Sequence, residues 1–108
     1  MIKAEFKKCK NTLCGVTVSG HAEYAGYGED IVCAAVSSAL EMCANAITHL
    51  LNIPALVEVG ENKVDLMLPE ESPESGENFL KALKLHLENL QQDYPKNIKI
   101  FTSEVERC

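Results

Sequence analysis

From Ile31 to about Leu51, small and apolar residues occupy most of a helical circumference, and that stretch limits what this chain can fold into. Ile31, Ala35, Ser38, Met42 and Ala46 form one stripe at helical spacing, and Val32, Val36, Ala39, Cys43 and Leu50 form its neighbour. A helix apolar over so wide an arc has to be covered on more than one side. A β-sheet could supply one cover and a second subunit the other. Asp30 stands where a side-chain oxygen can accept from the open amides of a first turn, so it reads as the N-cap. Pro54 marks the break after the helix.

The remaining segments supply the sheet. Ile2, Ala4 and Phe6 alternate with Lys3, Glu5 and Lys7, the period of a half-buried strand. Lys10-Asn11-Thr12 turns the chain, and Cys14, Val16 and Val18 repeat the alternation up to Ser19-Gly20, which predicts a hairpin. A second hairpin is clearer still. Ala55, Val57 and Val59 alternate with Leu56 and Glu58, residues 60–63 turn, and Val64, Leu66 and Leu68 return. Pro69 to Gly76 reads as an acidic loop, and Glu70, Glu71, Glu74 and Glu77 as a solvated loop and helix start. Leu80, Leu83, Leu87, Leu90 and Tyr94 space a second helix, which Pro95 stops, and Ile98 and Ile100 close the chain with a strand. The order β-β-α-β-β-α-β predicts an α+β fold: a single two-layer domain over residues 1–108, with a mostly antiparallel sheet and two helices packed on it. A chain of 108 residues can bury one core without a metal or disulfide staple.

Charge and cysteine usage narrow the function classes. A net charge of −6 weighs against direct nucleic-acid binding, which needs Lys and Arg to neutralise phosphates, and suits a basic partner. Residues 1–8 alternate and build no apolar signal core, and the apolar stretches read as too short to span a membrane, so a cytoplasmic protein without membrane partners is expected. Cys9, Cys14, Cys33, Cys43 and Cys108 make an odd count, a poor disulfide framework. No Cys-x-x-Cys is present, which leaves zinc a weak reading. Separate thiols are expected, one of them special.

The segment from Gly20 to Ser37 singles out Cys33. It joins His21, at a strand end, to a cysteine near a helix start through a glycine-containing loop. With Asp30 as cap, Cys33 lies in the first turn, where unpaired amides and the helix dipole favour a thiolate. A nearby histidine would lower its pKa further, and first-turn amides could hold an oxyanion. Asp30 could instead orient His21 as a third catalytic member; the cap is the favoured reading. The plainer alternative is that a cysteine on an Ala-rich helix is a small buried hydrophobe and the histidine a turn residue. Spacing along the chain does not decide between them. Tyr24 and Tyr27, aromatics on the loop, either grip a peptide or fold back on the core, and Gly20, beside His21, is grouped with them as a candidate substrate contact. His49 and His86 read as structural, His49 at a helix C-terminus where a histidine suits the dipole.

The run Gly20-His21-Ala22, then Gly28, then Asp30-Ile31-Val32-Cys33-Ala34-Ala35-Val36-Ser37 resembles the signature of the ribosomal-processing cysteine proteases called Prp, also described as YsxB-like. Ala25 stands where some relatives carry glycine. The resemblance implies a cysteine endopeptidase that removes a short N-terminal extension from ribosomal large-subunit protein twenty-seven and so supports ribosome assembly. It implies His21 and Cys33 as the catalytic dyad and Ser37, one turn beyond Cys33, beside the substrate. The loop from Ala22 to Glu29, with Gly26 and Gly28, would be a mobile gate. A homodimer without a cofactor is also implied, and the substrate's basic end agrees with the acidic chain. Two rivals make different predictions. A non-catalytic ribosome-assembly binding module needs no reactive thiol. A redox sensor using Cys33 needs a resolving cysteine, which Cys43 cannot be, about 15 Å further along the same helix.

Overall fold

The alternation of Ile2, Ala4 and Phe6 with charged neighbours has its expected result: all three are buried on one face of the first strand. The computed structural model describes residues 1–20 and 27–106, with the backbone alone at 27–30. Along the chain run β1 (Ile2–Cys9), β2 (Thr12–Ser19), α1 (Tyr27–Asn45), β3 (Leu56–Val59), β4 (Lys63–Met67), α2 (Glu74–Asp93) and β5 (Ile98–Glu104). The strands form one mixed sheet in the order β3-β4-β2-β1-β5. Three pairings are antiparallel, and β5 joins β1 in parallel after α2 carries the chain across the sheet. This is the expected α+β architecture. Its core is built from Ala4, Phe6, Val16, Leu66 and Ile98 of the sheet, Val32, Val36 and Leu40 of α1, and Leu80, Leu83 and Leu87 of α2.

The opposite face of the sheet is polar. Thr17 Oγ1 donates to Asp65 Oδ1 at 2.5 Å, and Lys7 and Lys63 approach the same carboxylate at 3.8 Å. The Asp65 charge is thereby compensated beside a nearly buried threonine.

Four details depart from the sequence reading. First, α1 starts at Tyr27, so Tyr27 and Gly28 belong to the helix and not to a loop, and Asp30 is its fourth residue, not its cap. The N-terminal cap rule places Asp at helix starts but cannot say whether an earlier turn also forms. Second, Ile31–Leu50 is long and apolar enough to cross a membrane. Burial of Val32, Val36, Leu40, Cys43 and Ile47 in the core shows what the apolar stripe serves in this fold. A π turn, Ala46–Leu50, continues α1, and Asn52, with φ 55°, ends it. Third, α2 begins at Glu74, inside the expected loop, and Glu77 is not a solvated charge: its Oε2 accepts from Leu13 N at 2.7 Å. Fourth, Cys9 and Cys14 are joined by a disulfide, contrary to the expectation of separate thiols.

Candidate active site

Gly20 ends β2 under tight constraint. Its φ is +112°, and its amide donates to Asn62 O at 3.1 Å. A Cβ at this position would lie 2.2 Å from Met1 O and 3.0 Å from Ile2 Cα. Only glycine fits such an approach at such a φ. The glycine of the Gly-His-Ala signature therefore has a packing reason as well as a conformational one. It presses the end of β2 against the start of β1 and fixes where the chain leaves the sheet toward His21. His21, Tyr24 and Gly26 lie outside the described residues, as do the side chains of Tyr27 and Asp30.

The other end of the segment is held by α1. Val32 and Val36 are fully buried and flank Cys33, which is half-buried against the core. Ser37 is exposed one turn further on, four residues from Cys33 and so on the same helix face. Cys33 is the seventh residue of α1, beyond the four open amides of the first turn. Its own amide is thus not free to hold an oxyanion, and the helix dipole, which fades within the first turn, does little for its thiolate. That corrects the reading of Cys33 as a first-turn residue.

The remaining cysteines are set apart by their surroundings. Cys43 is 2% exposed, its Sγ donates to Phe79 O at 3.5 Å, and burial pushes its thiol up to about 11. Such a thiol is inert at neutral pH. Cys9 and Cys14 are bonded to each other, and Cys108 lies outside the described residues. Among the described residues, Cys33 is the one partly accessible thiol. His49 is exposed sixteen residues along the same helix, about 24 Å away, too far to be its base. His86 is exposed on α2. An open groove of about 1100 Å³ lies elsewhere, around the β1–β2 turn and Pro69–Glu77, and none of its lining residues comes from α1.

With this geometry in view, the comparisons with known proteins are specific. The family described as Cysteine protease Prp matches residues 1–99. The ribosomal processing cysteine protease Prp of Bacillus subtilis strain 168 is 24% identical over 110 residues, covering 95% of this chain and 98% of that protein. Its counterpart from Staphylococcus aureus strain Mu50 is 26% identical over 87 residues, 79% of this chain and 82% of that one. Among solved structures, SMU.848 from Streptococcus mutans superposes with a TM-score of 0.86 at 28% identity, covering 97% of this chain and 96% of that one. The S. aureus protease Prp bound to a substrate peptide superposes at 0.88 with 22% identity, over 95% of this chain and 100% of that one, which establishes the fold. A match from the first residue through β1 to the start of β5, including the Gly20–Ser37 segment, makes this chain a member of the Prp family of cysteine proteases.

Proposed function

We propose that this chain is a cytoplasmic endopeptidase that removes the N-terminal extension of ribosomal large-subunit protein twenty-seven, with Cys33 as nucleophile and His21 as base. The observation that carries the reading is the state of Cys33: a partly accessible thiol in the signature segment, while Cys43 is buried and Cys9 is bonded to Cys14. In the reaction His21 takes the Cys33 proton and the thiolate attacks the scissile carbonyl. The imidazolium then protonates the leaving amine, and water hydrolyses the thioester. Because Cys33 sits in the second turn of α1, His21 carries the activation. Ser37 borders the substrate one turn away, Gly20 lies on its other side, and residues 22–26, ahead of α1, form the gate, with Tyr24 and Tyr27 as peptide contacts. The net charge of −6 suits a basic peptide.

The protein works as a homodimer. Met42 and Leu50 on the α1 side are 68% and 77% exposed, and the edge strand β3 presents Leu56, Val57 and Val59 to solvent. Uncovered apolar surface of this kind marks an interaction site.

The test is cleavage of a peptide spanning the extension junction of the same organism's ribosomal protein twenty-seven. Wild type should cut it, and Cys33→Ala and Cys33→Ser should not, with unchanged circular dichroism. An intact peptide after incubation with wild type defeats the substrate assignment, and a cut by either variant defeats the nucleophile assignment.

A further inference from the structure

Two cysteines that the proposed reaction leaves unused meet at the far end of β2 from Gly20. Cys9 closes β1, Cys14 lies in β2, and their Cα atoms are 6.0 Å apart. Two backbone features bring them together. Lys10 and Asn11 both have positive φ, 50° and 71°, the pattern of a two-residue type I′ turn, so Cys9 pairs with Thr12. The register then runs from Lys8 opposite Leu13 to Lys7 opposite Gly15, which leaves Cys14 as the extra residue of a bulge. In a regular ladder, residues 9 and 14 would be diagonal neighbours at roughly 7–8 Å. The bulge shortens this to 6.0 Å, within the range that disulfides use. The same bulge puts Leu13 and Val16 together in the core, so the fold needs it for its own packing.

We propose that Cys9 and Cys14 form a reversible thiol–disulfide exchange site, separate from Cys33, that takes small-molecule disulfides of the glutathione type. Cys9 is half-buried at the rim of the open groove, whereas Cys14 is 4% exposed. The order of steps follows from that difference. The Cys9 thiolate attacks one sulfur of the small disulfide, forms a mixed disulfide and expels one thiolate. The Cys14 thiolate then attacks the Cys9 sulfur, forms the internal bond and expels the second. Two protein thiols are oxidised, one small disulfide is reduced to two thiols, and the two protons released by Cys9 and Cys14 pass to the leaving thiolates.

The hairpin does not depend on the bond. Thr12 Oγ1 donates to Cys9 O at 2.8 Å, and the β1–β2 ladder keeps the two residues adjacent after reduction. The ring spans a sequence separation of five, the short-loop end of the scale where a cross-link restricts the unfolded chain least. The bond instead braces the bulge, whose neighbours hold the start of α2 and the exit of β4. Leu13 N donates to Glu77, and Leu68 N donates to Cys14 O at 2.8 Å.

The experiment uses the full chain carrying Cys33→Ser, equilibrated across ratios of reduced to oxidised glutathione, quenched in acid, alkylated and mapped by mass spectrometry. The expected result is that Cys9 and Cys14 lose alkylation together as a joined pair, regain it in excess reduced glutathione, and leave Cys43 a thiol throughout. In Cys14→Ser a glutathione adduct accumulates on Cys9, while in Cys9→Ser the buried Cys14 takes up little. Alkylation of both residues at every ratio overturns the proposal. So does a stable glutathione adduct on Cys9 with Cys14 intact, or a bond that excess reduced glutathione fails to reopen.

Discussion

Substitution Gly20→Ala tests whether the end of β2 is what sets His21, the proposed base. The new Cβ would meet Met1 O at 2.2 Å and Ile2 Cα at 3.0 Å. Both are backbone atoms, and neither can rotate away. Ile2 is 4% exposed, and its amide donates to Asn97 O at 2.8 Å, so β1 is held from its other side. Relief requires either that β1 and β2 part at this end or that residue 20 leaves its φ of +112°. A non-glycine residue kept in such a conformation costs about 1–3 kcal/mol before the clash is counted. At about 2.1 cal/mol/K per residue for the entropy of unfolding, each kcal/mol lowers the Tm of a domain this size by about 4 °C. Thermal unfolding should therefore fall by roughly 5–15 °C. Gly60→Ala is the control, because a Cβ there meets only Lys63 O at an ordinary 3.5 Å. Since Gly20 directly precedes His21 in the chain, displacement of the strand end should also disturb the proposed base. Cleavage at 25 °C should drop by more than the unfolded fraction explains. A Gly20→Ala protein with the Tm and cleavage rate of the Gly60→Ala control would refute the reasoning.

Three further outcomes are expected. In His21→Ala, the pH midpoint for iodoacetamide alkylation of Cys33 should rise toward that of an ordinary exposed thiol, and an unchanged midpoint would return the activation to the helix. Burial holds the Cys43 thiol near 11 against an ordinary 9.0, so the unfolded chain loses that proton first. The folded state should lose up to about 2–3 kcal/mol as pH rises through that window, a slope that denaturant titrations should find missing in Cys43→Ala. Glu77→Ala strips the part-buried Leu13 amide of its acceptor and should cost about 1–3 kcal/mol by the same titration, while Glu74→Ala should change little.

How far the sequence could be read depended on whether each feature is local. The alternation in β1 and the leucine spacing of α2 predict their buried faces correctly, because one side-chain period decides each. The bulge at Cys14 takes two facts that must be combined. A two-residue turn at Lys10–Asn11, carried regularly along the ladder, sets Phe6 opposite Gly15 and Ala4 opposite Thr17. The alternation demands Val16 and Val18 there, and only one extra residue in β2 reconciles them, as the observed register has it. Reading the turn and the strands separately misses that conflict, and with it the Cys9–Cys14 pairing. Glu77 was unreadable for another reason: its acceptor role comes from a strand amide sixty-four residues away. The helix α1 starts a turn earlier than the sequence predicts, because Asp30 satisfies the composition of a cap without being one.

That earlier turn changes what the site requires. A nucleophile in the first turn could draw on the helix terminus for its charge and for an oxyanion. Cys33, seventh in α1, gains position instead. Val32 and Val36, buried on one face of α1, anchor the turn that carries it, and Gly20, pinned against Met1 and Ile2, anchors the strand end that leads to His21. The proposed dyad would rely on rigid supports on either side of residues 21–26, the end of β2 and the second turn of α1, since groups carried by rigid elements are held most closely. It follows that substitutions at Gly20, Val32 and Val36 should damage cleavage more than conservative changes within residues 22–26.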